Sequence, residues 1–482
     1  MASTRLRVNR VDDGATVHLR LRQLQREADE LQRSEAELLS KLNGLRARQE
    51  RIRAESSKLT NENAPIFQLP DEVLAEIFGY LEGGWRDGLP FLVRVSQVIK
   101  RWRTVSFATP SLWTTIQLRP TTLTCRYPID LIAHYLLLSG SKPLDLYIYI
   151  CEGQDIAPAT ELLIPQIERW QKLVIDSQDE RALQAFMAGL RDQIAPKLQH
   201  MQIDLDIDDE QDESLWSGDN KTLAGGSPLL SYLGTRGVNM QMWLPPLGTV
   251  KSLYLADCYS ANLLSYARFR EILVEAKSLT NLEVEGMVNC CEEDSLAELE
   301  MPYLVSLTVL PPDYVNPVHF MRNLFSTISA PALETLCLRK VYGHQFRVFL
   351  ETFRSARWHP VLHTLRLETV TGLQYLTPKF ALSSPTITHL SLKFVTDPGP
   401  ILRLLASNHI DPLWPRLQIL TVGPVDNALL RTLISDRMAV GKPLTRLRYA
   451  TESRAAFDAI PDHEMAWFRE RLQVENVAFH DM

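Results

Sequence analysis

The chain has 482 residues, 45% of them apolar and 23% charged, an ordinary globular composition that excludes a largely disordered protein. That length exceeds one ordinary compact core, so several domains or a repeat array are expected. A formal net charge of −7 argues against an overall basic nucleic-acid binder.

The opening MASTRLRVNRVDD has no apolar segment of the signal-peptide kind, and residues 1–18 are expected to be disordered. No uninterrupted apolar run approaches the ~20 residues that a membrane helix needs. Residues 19–62 read as a heptad helix. Leu24, Leu31, Leu38, Leu45, Ile52 and Leu59 are spaced by seven and fill the d positions. The a positions, Leu21, Ala28, Glu35, Leu42, Gln49 and Ser56, are half polar, and Gly44 weakens the middle. The pattern suits a solvated helix and a homodimer through residues 19–60 equally.

Residues 65–119 follow. Asp71 and Glu72 favour a helix start behind Pro70, and Val73, Leu74, Ile77, Phe78 and Leu81 recur at helical spacing before Gly83–Gly84. Phe91, Val95, Val98, Trp102 and Val105 describe a second amphipathic helix, which Pro110 stops. So small a helical unit has too little core to stand alone.

The wording is more specific than the periodicity. Leu69, Pro70, Glu72, Leu74, Ile77, Phe78, Ser96, Val98, Arg101, Trp102, Pro110, Leu112 and Trp113 stand where an F-box carries matching residues, so this stretch resembles an F-box. Two departures are Ile99, where many members carry Cys, and the longer GGWRDG insert between the helices. The resemblance implies a small all-α domain that docks on an SKP-type adaptor and through it on a cullin. On this reading Leu69, Pro70, Leu74, Ile77, Phe78, Val95, Val98 and Ile99 make the adaptor contact, while Trp102 and Trp113 form the F-box's own core. A heptad directly before an F-box resembles F-box-like proteins of mushroom-forming, basidiomycete fungi.

Beyond Trp113 one pattern, L-x-x-L-x-L, repeats. Its clear copies start at residues 250, 279, 304, 333, 362, 387, 417 and 444, and weaker ones at 143, 170, 198 and 230. The clear copies are 25–30 residues apart. Each supplies one short strand, and the rest of the unit returns as a helix or loop, as in ANLLSYARFREILVEAK and HQFRVFLETFRSA. One unit cannot bury its apolar side, so the units must stack. The array resembles a leucine-rich repeat, an α/β repeat fold with a solenoid of about 10–12 units over residues 120–455. The family's ladder Asn is replaced by Cys258, Met287, Val341, Val370, Val395 and Val425, which puts regular curvature in doubt. A doubly wound α/β sheet would need a Gly-rich phosphate turn, which is absent.

An acidic insert spans residues 204–227. Its Asp204, Asp206 and Asp208 share one face of an extended strand, yet without the wording of a calcium loop they read as a solvated stretch. Residues 456–482, with DHEMAWFRERLQVENVAF, are expected to form a closing amphipathic helix.

No catalytic motif and no RING-type Cys/His array is present, so no catalytic residue, metal or cofactor is expected. The six cysteines make no CxxC, and sparse thiols suit a reducing cytoplasmic or nuclear setting. Cys290–Cys291 reads as a loop pair, and His344, His359 and His363 lack zinc spacing.

In such an array the residues beside the inner leucines face outward. Early strands present His200, Gln202, Asp204, Tyr254, Asn281, Glu283 and Glu285. Later ones present Thr335, Arg339, Thr364, Arg366, Glu368, His389, Lys393, Arg446 and Arg448, so the face is expected to turn from acidic to basic. The stripe Arg339–Arg366–Lys393–Arg446–Arg448 suits an acidic or phosphorylated segment, although strand surfaces also carry polar residues for solubility alone. RNA is not the expected partner, because aromatic residues are scarce beside these arginines. Together the resemblances imply a non-catalytic substrate receptor of an SCF cullin–RING ubiquitin ligase, holding an unidentified protein substrate. A non-ligase scaffold that self-associates through the heptad helix is the alternative.

Overall fold

In the computed structural model every one of the twelve L-x-x-L-x-L copies carries a strand. The structure describes residues 11–62, 64–80, 91–119, 128–206, 221–238, 244–256, 264–286, 288–289, 298–312, 317–353, 361–406, 413–451 and 460–478. The chain divides into two units, one built from residues up to 84 and from 91 to 106, the other from 107 onward with 85–90.

The first unit opens with a long helix, α1 (Val11–Glu62), along which the heptad leucines are exposed. Helix therefore begins inside the segment expected to be disordered. A short 3-10 turn at Pro65–Gln68 precedes α2 (Asp71–Tyr80), which starts where Pro70 and the acidic pair place it. Leu81 and Gly83–Gly84 lie outside the described residues. The expected second helix is two, α3 (Phe91–Val98) and α4 (Lys100–Ala108), broken at Ile99. Apolar spacing alone carries no signal for such a break.

The second unit is built on one fourteen-stranded parallel sheet whose strands follow chain order. Its first half comprises β1 (Thr115–Leu118), β2 (Leu144–Ile150), β3 (Trp170–Ser177), β4 (His200–Leu205), β5 (Tyr232–Arg236), β6 (Ser252–Ala256) and β7 (Asn281–Glu285). The second half comprises β8 (Ser306–Leu310), β9 (Thr335–Arg339), β10 (Thr364–Glu368), β11 (His389–Lys393), β12 (Ile419–Val422), β13 (Arg446–Thr451) and β14 (Gln473–Ala478). From β6 onward the pairings show no register shift, so equivalent repeat positions form columns. One column is Leu253, Leu282, Leu307, Leu336, Leu365, Leu390, Leu420 and Leu447, all buried. Period-two alternation turns the residues between the buried columns to the opposite, polar side.

Helices fill many of the returns, including Tyr266–Glu275 and Gly343–Thr352 in the two segments read as helical. They bury an aromatic chain in which Phe349 meets Phe325 and Phe353 at 4.9 and 5.0 Å, and Phe380 meets Trp414 at 6.4 Å. Directly after three strands a non-glycine residue takes the left-handed conformation: Lys340, Thr369 and Phe394, with φ of 48, 54 and 50°. Gly237 and Gly286 hold the same place after β5 and β7. The ladder reaches these residues: the Lys340 N–H donates to the Glu368 carbonyl and the Thr369 N–H to that of Lys393, each at 2.9 Å.

Two strands come from places read otherwise. β1 lies inside the F-box wording, five residues before the expected start of the array. At the other end, among the described residues the expected closing helix occupies Asp462–Arg469, and the residues behind it form β14, parallel to β13. Asp204 sits on β4, whereas Asp208, His359 and Cys290–Cys291 lie outside the described residues. Among the described residues no His/Cys/Asp/Glu group is arranged to hold a metal. No described helix is long and apolar enough to cross a membrane.

Candidate protein-interaction surfaces

In the first unit one arginine organises the Leu69-Pro70 segment. Arg101, on α4, donates from Nε and Nη2 to Asp71 Oδ1 at 2.9 and 2.7 Å. Its Nη1 and Nη2 also reach the carbonyls of Phe67 and Leu69, each at 2.6 Å. Phe78 meets Trp102 edge-on at 5.4 Å, which ties α2 to α4.

Helix α2 is thereby two-faced. Leu74 and Phe78 are buried, as is Val95 on α3, so these three sit inside the unit. Leu69, Ile77 and Ile99 are half-buried, Pro70 is exposed, and Val98 is 58% exposed. Val73 and Tyr80, which the adaptor reading left out, are exposed with them, Tyr80 at 90%. Residues 70, 73, 77 and 80 follow i, i+3, i+7, i+10 spacing, the signal that separates this outer stripe from the 74/78 core stripe. Trp113 packs in the second unit, against Tyr135 at 4.9 Å.

On the polar side of the sheet, opposite charges interleave. Arg339 pairs with Glu368 at 3.0 Å, with Glu285 at 3.6 Å, and with Glu283. Burial pushes the Glu283 carboxyl above its usual range, against the pull of Arg339. Beside this cluster lies a groove of about 540 Å³ lined by Tyr232, Arg236, Tyr254, Glu283, Glu285 and Arg339, with Ser252, Ser306 and Thr308 among them. Arg236 donates to the Tyr254 hydroxyl at 2.7 Å, which donates to Glu285 at 3.0 Å; burial pushes that phenol up to about 12. His200 stacks on Tyr232 with centroids 4.2 Å apart.

The stripe read as basic is thus divided. Arg339 belongs to the glutamate cluster, and Lys393 is only 4% exposed. Arg446 and Arg448 share Glu475, at 3.4 and 2.9 Å. Arg366 makes no ion pair among the described residues. His389 lies among these cations: burial first, then His363, Arg448, Arg446 and Arg366, hold its imidazole below the usual range.

Among the described residues neither surface brings a nucleophile, a base and an oxyanion donor together. A family model described as F-box-like matches residues 66–119, a span that runs from the 3-10 turn before α2 through β1. No curated protein matches the chain. An F-box-like domain points to a role in protein–protein interaction, and such domains are generally non-catalytic adaptor modules.

Proposed function

We propose that the chain is the substrate-recognition subunit of an SCF-type cullin–RING ubiquitin ligase, working in the cytoplasm or nucleus. Its F-box-like segment docks on an SKP-type adaptor, which links it to a cullin, and the repeat sheet holds a target protein. Ubiquitin transfer is then promoted by proximity alone, which needs no catalytic side chain on this subunit. The observation that carries the reading is the F-box-like match together with the outer stripe of α2, where Val73 and Tyr80 are exposed beside the exposed Pro70 and the half-buried Ile77. Leu69, Pro70, Ile77, Val98 and Ile99 make the contact, and the buried Leu74, Phe78 and Val95 hold its shape from behind. The sheet is read as a leucine-rich repeat, on the support of one L-x-x-L-x-L copy per strand across twelve strands. Adaptor and cullin co-purification tests this: replacing Pro70 and Ile77 together abolishes adaptor recovery with unfolding of the sheet unchanged. Retained adaptor sinks the docking assignment.

A second reading, a self-associating scaffold without ligase activity, draws on α1. All six of its d-position residues from Leu24 to Leu59 are exposed. Light scattering with and without residues 1–60 separates the two: a mass that halves on truncation supports a coiled-coil dimer, and an unchanged mass removes it.

A further inference from the structure

Every described side chain of α1 is exposed, the six d-position residues by 50–67%. A helix of 52 residues that buries none of them gains nothing from its apolar stripe. A second copy of the same helix covers that stripe, and the charges beside it decide how the two copies run.

With d at Leu24, the flanking g positions include Arg20, Glu27, Lys41, Arg48 and Glu55, and the e positions include Arg46 and Arg53. In a parallel pair in register, each g faces the next e of the partner. Lys41 then meets the partner's Arg46, and Arg48 meets the partner's Arg53, each contact occurring twice by symmetry. No g–e contact joins opposite charges, and Glu35 and Gln49 meet their own copies inside the seam.

Reversing one helix exchanges its flanks, so that a lies against d and g against g. When Leu21 lies opposite Ile52, Glu27 meets the partner's Arg48 and Arg20 meets the partner's Glu55, again twice each. All four contacts now join opposite charges. Glu35 and Gln49 lie against the partner's Leu38 and Leu24, so no two polar residues meet in the seam. Sliding by one heptad in one direction sets Glu27 against Glu55 and Lys41 against its own copy; in the other it sets Arg20 against Arg48. The favoured register is centred between Ala36 and Glu37. That point is also the middle of Val11–Glu62, so the two helices overlap over their full length. Such flanking pairs are solvated and individually weak, so the apolar seam supplies affinity and the charges select orientation.

We propose that two copies of the chain pair through α1 as an antiparallel coiled coil in this register. The two C-terminal ends of α1, each just before an F-box-like segment, then lie about 80 Å apart, and one dimer carries such a segment at either end. The inference rests on self-association through α1 and holds with or without ligase activity.

The test uses the full chain, oxidised under native conditions, with linkages located by peptide mapping to set aside its six natural cysteines. Leu24→Cys and Gln49→Cys combined in one chain close a covalent dimer linked between positions 24 and 49. Within one helix these positions stand about 37 Å apart and cannot join. Either variant alone gives no self-linked dimer. Charge reversal reads the same geometry without cysteine. Arg48→Glu sets Glu27 against a carboxylate and weakens dimerisation about tenfold in dilution light scattering, and adding Glu27→Lys restores it. In a parallel pair Arg48→Glu would instead meet Arg53 and strengthen the dimer. Self-linked L24C copies, a dimer without the 24–49 linkage, or dimerisation unchanged or tighter in R48E overturns the proposal while self-association stands. A chain that is monomeric at every concentration loses both.

Discussion

Arg101 and Asp71, thirty residues apart in the chain, are joined by two hydrogen bonds from one guanidinium. The same group also takes the Phe67 and Leu69 carbonyls, so it fixes the turn before α2 and the first residue of that helix together. Lysine keeps the charge but lacks the planar fork needed to serve three acceptors. Because the ion pair is partly solvated, Arg101→Lys should cost only about 1 kcal/mol of stability. Adaptor retention should fall by about tenfold, since the presented turn loosens. Denaturant melts and adaptor pull-down on the same variant check both parts. Unchanged retention would remove Arg101 from presenting the segment.

Thr369 carries a β-branched side chain at φ 54°, where its Cβ crowds the backbone. Its N–H donates to the Lys393 carbonyl on the next strand. Gly237 and Gly286 occupy the equivalent place elsewhere without that strain. Thr369→Gly should therefore raise stability by about 1 kcal/mol, less the small entropic gain of the unfolded chain. A higher urea midpoint at unchanged slope is the expected result, and a lower midpoint would show that the side chain contributes more than the strain costs.

The strands were the readable part, because L-x-x-L-x-L writes two buried columns and an edge residue into every copy. β14 was not. Val474 and Val477, three apart, fit a helix as well as a strand, and only pairing with β13 decides between them. In the first unit Val73, Leu74, Ile77 and Phe78 look like one apolar face, yet a turn of about 100° per residue divides them into an outer and an inner stripe. The ion pairs were hidden for another reason. Glu283 and Arg339 are 56 residues apart and meet only because β7, β8 and β9 keep one register. A list of outward residues shows charge along the chain, whereas register shows which charges already cancel.

Arg437 is 1% exposed and has no carboxylate among its hydrogen-bond partners. It donates to the carbonyls of Leu413, Trp414, Leu417 and Lys442, three of them around the left-handed Trp414. Burial pulls its guanidinium down to about 10, so it remains charged at neutral pH. Arg437→Met keeps much of the volume but leaves these carbonyls unpaired, and should cost about 3–5 kcal/mol. The loss should be insensitive to salt, unlike that of a surface pair. Urea midpoints at low and high ionic strength measure it. A loss below about 1 kcal/mol would mean that water replaces the guanidinium.

His389 supplies a pH dependence with a defined sign. Burial and the nearby His363, Arg448, Arg446 and Arg366 hold its imidazole below the ordinary 6.5, so the unfolded chain binds the proton more tightly than the folded one. The stability of the neutral form is fully present above about pH 7 and is lost as the pH falls through 6.5 toward the lower folded value. His389→Gln should flatten this fall without changing stability at about pH 7.5. Part of the slope should persist, because His200 is lowered likewise by burial and by Lys172. Urea midpoints compared between about pH 7.5 and 5.5 give the two slopes directly. A steeper fall in the glutamine variant would mean that His389 is stabilised as a cation, by Glu475 or another carboxylate, and that the cationic end of the sheet is weaker than its three arginines suggest.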